Sequence, residues 1–225
     1  MTLKNKTILS LLFAITCITL ISCSKDDRIR PNGEIKTEGR ILPGFTGISA
    51  INGMSISLSK SSDNNNQVIL EGDSNILPYI GTVIQNNILY IYFKDVNIKG
   101  DYTLKINVNY NTLNLLHASG GSNFTFKSPI TIPDMLIKLQ GGSNVKMYGA
   151  VDDLNLSECS GGSSLDAIDL VCKRLSADLS GRSKLSISIA EKYNIYASGG
   201  SEIIYRGDAT GNAYLSGEST LKKQY

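Results

Sequence analysis

The chain has 225 residues, with 22 Lys and Arg against 20 Asp and Glu, one His and no Trp. That balance, with no Arg/Lys run interleaved with aromatics, argues against a nucleic-acid partner, which calls for a basic excess or stripe. One histidine leaves no zinc ligand set and makes a nucleophilic triad hard to build, and the sequence implies no cofactor.

In chain order, residues 1–22 read as an export signal: Lys4 and Lys6 charge the start, and an apolar run over 8–21 is too short to span a bilayer comfortably. The run ends Leu20-Ile21-Ser22-Cys23, which resembles the bacterial lipobox, so Cys23 is the expected lipidation site. Acyl chains there, at roughly 0.8 kcal/mol per buried methylene, would hold the protein on a membrane without spanning it. Loss of the leader removes two lysines and no acids, which leaves the mature chain formally neutral. Ser24-Lys25-Asp26-Asp27 resembles the surface-export tag of Bacteroidetes lipoproteins, which implies an outer-membrane protein facing outward, with the periplasmic face as the alternative. Residues 23–38 read as a flexible tether and 39–225 as one domain with a sizeable core.

Strands are expected over 47–58, 67–71, 82–84, 88–93 and 102–108, separated by turn chemistry such as Gln85-Asn86-Asn87. These read as the opening coils of a solenoid with longer loops. Ile51-Asn52-Gly53-Met54-Ser55 looks like a worn copy of the corner that dominates the second half.

From Leu113 onward an apolar strand, a corner patterned on Ser-Gly-Gly-Ser and another apolar strand recur six times. The opening glycines are Gly120, Gly141, Gly161, Gly181, Gly199 and Gly217, 18 to 21 residues apart. So short a period without a helical pattern predicts an all-β solenoid with parallel coils of that length. Two residues before the opener stand Ala118, Leu139, Cys159, Leu179, Ala197 and Leu215, and four after it Phe124, Val145, Leu165, Leu185, Ile203 and Leu221. These columns alternate with polar ones, as strands with one buried face require. The openers suit positive φ, whereas the next position tolerates Arg182 and Glu218. The serine two places after each opener is expected to turn inward and bond neighbouring backbone as a stacked ladder. Lys222, Lys223 and Gln224 put charge on the last strand, one way to discourage edge pairing.

Phe45-Thr46-Gly47-Ile48 leading into Gly53, then Val68-Ile69-Leu70-Glu71-Gly72-Asp73, Ile88-Leu89-Tyr90-Ile91 and the Ser-Gly-Gly-Ser corners resemble the head GIN domain family over about residues 39–225. The family is described as "putative auto-transporter adhesin" and is common among exported proteins of Bacteroidetes. The resemblance implies a right-handed parallel β-solenoid, and it brings no established substrate or catalytic residue.

Functional candidates fall in the outward column three places before the opener: His117, Lys138, Glu158, Asp178, Tyr196 and Tyr214. A ladder of exposed polar and tyrosine side chains suits non-catalytic contact with glycans or a protein partner. His117 by itself reads as an ordinary surface histidine. The enzyme alternative, a glycosidase or lyase, would use Glu158 and Asp178 as paired carboxylates on adjacent coils about 4.8 Å apart. A periplasm-facing envelope scaffold is the third reading. Cys159 and Cys172 lie half a coil apart, which favours buried free thiols over a disulfide. Asp152, Asp153, Asp166 and Asp169 form no calcium-binding repeat, and no metal site is expected.

Overall fold

The computed structural model describes residues 28–63 and 65–225. The export signal, Cys23 and the first part of the tether lie outside the described residues.

The chain forms a parallel β-solenoid with three walls. One wall holds the strands that precede each corner. It runs from β6 (Ile88–Phe93) through β2 (Gly47–Ala50) and β8 (Leu115–Ala118) to the second halves of β10 (Ile130–Leu139), β12 (Gly149–Cys159), β13 (Ser164–Leu179) and β14 (Lys184–Ala197), and then β16 (Thr210–Leu215). A second wall holds the strands after the corner. It runs from β7 (Leu104–Tyr110) through β3 (Ser55–Lys60), β9 (Asn123–Phe126) and β11 (Asn144–Lys146) to the first halves of β13 and β14, then β15 (Glu202–Arg206) and β17 (Thr220–Lys223). The third wall starts with Ile130–Ile132 on Gly149–Val151, followed by Leu170–Cys172 and Ser188–Ile189.

Inside these walls the predicted columns are the core through the fifth corner, whereas at the last one Leu215 is exposed and Leu221 half-buried because no further coil covers them. Ala118, Leu139, Cys159, Leu179 and Ala197 are buried, as are Phe124, Val145, Leu165, Leu185 and Ile203. Each buried large aliphatic contributes about 1.5–3 kcal/mol, so each added coil extends one continuous apolar stack. The serines two places after the opener, Ser122, Ser143, Ser163, Ser183 and Ser201, are buried as well. Ser143 Oγ donates to Gln140 O at 2.8 Å and accepts from Ser122 N at 3.2 Å, and Ser163 repeats both contacts one coil on.

The N-terminal half differs from a simple run of opening coils. The coil made by β2 and β3 sits between β6–β7 on one side and β8–β9 on the other, so chain order and stacking order part company. Beyond it the pairing turns antiparallel: β5 (Ile80–Gln85) on β6, β4 (Asn66–Asp73) on β7, and β1 (Ile35–Leu42) on β4. The physical reason is local. Asn86 and Asn87, at φ 50° and 60°, make the two-residue hairpin that reverses β5 into β6. The expected strand over 47–58 is broken by the worn corner, where Asn52 has φ 64° and Gly53 φ 75°.

The tether boundary also moves. β1 begins at Ile35, inside the 23–38 segment, and Gly33 N donates to the buried Asp73 carboxylate at 2.6 Å while Thr103 N donates to its other oxygen at 2.8 Å. A carboxylate held by two backbone N–H groups ties the entering segment to the end of β4 and the start of β7.

The two glycines of a corner are unequal. Both have positive φ, but a Cβ on Gly161 would stand 3.2 Å from Gly141 N and 3.3 Å from its Cα, whereas one on Gly162 would meet nothing within 4 Å. Gly162→Ala should therefore cost only the left-handed backbone penalty of about 1–2 kcal/mol. Gly161→Ala adds a collision with backbone that cannot move away, and its melting temperature should fall clearly further. Equal melting temperatures for the two variants would contradict this account.

Candidate contact surface

The outward column lies on the first wall, next to the corners. Backbone register sets Ser49 beside His117, His117 beside Lys138, Lys138 beside Glu158, and then Asp178 beside Tyr196 beside Tyr214. All six predicted residues therefore share one strip. Between Glu158 and Asp178 the ladder slips, because Leu156 faces Ala177 and Cys159 faces Leu179, so Ser157 and Glu158 together oppose Asp178. This bulge in β12 re-aims Glu158 and breaks the simple carboxylate pairing expected of neighbouring coils.

Glu158 turns instead to its own network. Its Oε1 accepts from Gln140 Nε2 at 2.8 Å and from Ser160 Oγ at 2.9 Å, and Lys138 Nζ lies 3.0 Å from Oε2. Gln140's hydrogen bond and then Lys138 hold the Glu158 carboxyl below its ordinary value, against desolvation. Since Gln140 spends its amide N–H on the carboxylate, its oxygen is left to accept from His117 Nε2 at 3.3 Å. His117 Nδ1 then accepts from Ser49 Oγ at 3.1 Å. His117 is thus half-buried and bridging, unlike the ordinary surface histidine expected.

At the other end of the strip Tyr196 and Tyr214 stack with ring centroids 4.8 Å apart and planes 11° from parallel. They remain 48% and 55% exposed. Two rings fixed on adjacent strands offer apolar faces and hydroxyl edges at little further entropic cost.

Other candidates resolve differently. Cys159 and Cys172 are free and buried, and burial pushes both thiols up to about 11. Asp152 pairs with Lys173, Asp153 with Arg174, and Asp166 with Lys146. Among the described residues no group of three or more His, Cys, Asp or Glu could hold a metal ion. The enzyme alternative is weakened by geometry: the bulge takes Glu158 out of register with Asp178, and its carboxylate is committed to Gln140, Ser160 and Lys138.

Sequence reasoning missed Ser49, Gln140 and Ser160. Ser49 lies three residues before Asn52, so extending the column to the worn corner finds it. Gln140 interrupts an otherwise unbroken serine position, Ser119, Ser160, Ser180, Ser198 and Ser216, immediately before the opener.

The lowered Glu158 pKa fixes a sign. Its contribution to stability is present above the unfolded-state value and is lost as pH falls through the folded one. Wild type should melt above Glu158→Gln at pH 7, by less than about 1 kcal/mol because the group is partly exposed, and the two should converge as pH falls below the ordinary glutamate range. A gap that widens on acidification would refute the network.

The family described as "Putative auto-transporter adhesin, head GIN domain" matches residues 44–209. No curated protein matches the chain. Among solved structures, a "putative adhesin" from Bacteroides fragilis superposes with a TM-score of 0.73 at 21% identity, covering 87% of this chain and 100% of that one. A "putative lipid binding protein" from Parabacteroides distasonis gives 0.57 at 17%, and a "putative adhesin" from the same species 0.55 at 18%, each covering 88% of this chain and 100% of the other. At these identities the likeness is one of fold.

Proposed function

The chain belongs to the head GIN domain family, and from that premise we propose a non-catalytic binding module of the cell envelope. It is lipid-anchored through Cys23 on the outer membrane and faces outward. Its ligand, a glycan or a protein, meets the strip from His117 to Tyr214. The observation that carries this reading is the Tyr196–Tyr214 stack, half-exposed at the end of a polar strip whose side chains are already positioned by hydrogen bonds. A stacked aromatic pair suits the C–H face of a pyranose ring or a planar side chain of a partner, and the hydrogen-bonded polar atoms further along the strip supply orientation. Beneath Tyr196, β14 is laddered on both sides, and β16 beneath Tyr214 is the edge strand laddered to β14, so the pair sits on ordered backbone and little has to be ordered on binding.

A glycan and matrix-protein array with residues 28–225, incubated long enough to score products, tests the reading. Saturable binding that Tyr196→Ala/Tyr214→Ala weakens at least tenfold, with the melting temperature held, is the expected result. Released products would overturn it in favour of the glycosidase alternative.

Anchoring has a separate test. Cys23→Ser should move the protein from the membrane fraction to the soluble one, and protease treatment of intact cells should remove the wild-type domain. Protection from protease with membrane attachment intact would place it on the periplasmic face.

A further inference from the structure

The third wall begins only at Ile130–Ile132, and that strand segment is paired on one side alone, with Gly149–Val151. The two coils stacked before it add no strand there, because the chain leaves β3 over 61–65 to form β4 and returns from β7 over 111–114 to β8. The gap is a groove of about 430 Å³ lined by Tyr110, Leu113, Phe126, Ile130, Ile132 and Met135, with Lys60 among its walls. That volume falls within the range of small-molecule sites.

Two observations give the groove a chemistry. Lys60 has the same parity as the buried Ile56 and Leu58 and stands beside Tyr110 in the ladder, but it is itself exposed, at the point where the wall opens and the groove begins. Among the described residues its ammonium has no carboxylate partner. The acid on the neighbouring loop, Asp63, is occupied by Ser61 and Asn65. Tyr110 packs edge-on to Phe126 at 6.2 Å, and its buried hydroxyl has no hydrogen-bond partner. Burial pushes the phenol up to about 12, with nearby Ser128 acting the other way without making a hydrogen bond. A buried donor left without an acceptor is uncommon in native structures and calls for an explanation.

We infer that this groove binds a single acyl chain bearing a carboxylate, the tail lying over Leu113, Phe126, Ile132 and Met135 and the head held by Lys60, with the Tyr110 hydroxyl as second donor. An apolar slot excludes a polar sugar, and one unpaired cation at its rim selects an anion over a neutral head. The site is separate from the Tyr196–Tyr214 strip and does not depend on it.

Titration calorimetry of residues 28–225 with laurate, dodecanol and propionate tests the assignment. Laurate should bind saturably, one per chain, and raise the melting temperature, whereas propionate should not bind. Lys60→Gln should weaken laurate about tenfold and leave dodecanol unchanged. Ile132→Glu, on the half-buried rim, should abolish both at an unchanged fold by circular dichroism. Tyr110→Phe should leave the free protein at least as stable and remove part of the gain from laurate. Absence of saturable laurate binding, or binding indifferent to Lys60 and Ile132, would overturn the proposal, the latter marking surfactant-like adsorption. Either failure would leave the glycan and matrix-protein array unaffected, and a failed array would leave this groove untouched.

Discussion

How closely one corner can approach the next governs the rest of this molecule. A Cβ on any opener from Gly120 to Gly217 would come within 3.0–3.5 Å of the corner before it. Glycine removes that obstacle and lets the coils close to β-ladder spacing. The same approach carries serine hydroxyls to their neighbours' N–H groups between Ser122 and Ser143, Ser143 and Ser163, and Ser201 and Ser219. Corner backbone that would otherwise be buried unsatisfied is thereby paired, and register is fixed at the same points. The second corner position faces open space, so Arg182 and Glu218 occur there at φ 63° and 65°.

Asn52 fits the same rule. A Cβ at an opener points toward the preceding coil, and the coil beyond Asn52 passes from β6 to β7 over 94–103 without a glycine corner. No corner stacks there to be struck, so a side chain is tolerated. The inward neighbour has changed accordingly: Met54 stands in the serine's place, is buried, and its N–H is met by Ser122 Oγ at 3.2 Å. What looks like decay in the repeat is the ladder ending against a different structure.

The repeat was legible because period, columns and glycine positions all answer to one stacking constraint. The N-terminal half was less so, since a strand pairing antiparallel and one pairing parallel can share a burial pattern: β4, antiparallel on both sides, and β3, parallel on both sides, each bury every second residue along most of their length. The early start of β1 was hidden because six of its eight residues are exposed, leaving no apolar pattern to read. For the outward strip, periodicity located all six side chains but not their partners. A bulge adds one residue without changing composition, so the parting of Glu158 from Asp178 had no signature in spacing alone.

Chemistry on this scaffold collects where the repeat is broken. A serine before the opener bonds locally, as Ser160 does with Glu158, whereas the longer Gln140 reaches from one coil to His117 and to Glu158 and joins three coils into one hydrogen-bonded strip. Charged residues give way to Tyr196 and Tyr214 further along the column, and the third wall is missing where the chain leaves β3 for β4 and returns from β7 to β8. Stacking rewards identical residues because each coil presents the same surface to the next, so a departure persists only where something other than stacking holds it. In the strip that something is a hydrogen-bond network together with an aromatic pair. At Lys60 the column offers neither, and a cation set at the mouth of an apolar groove is the departure that the fold itself does not use.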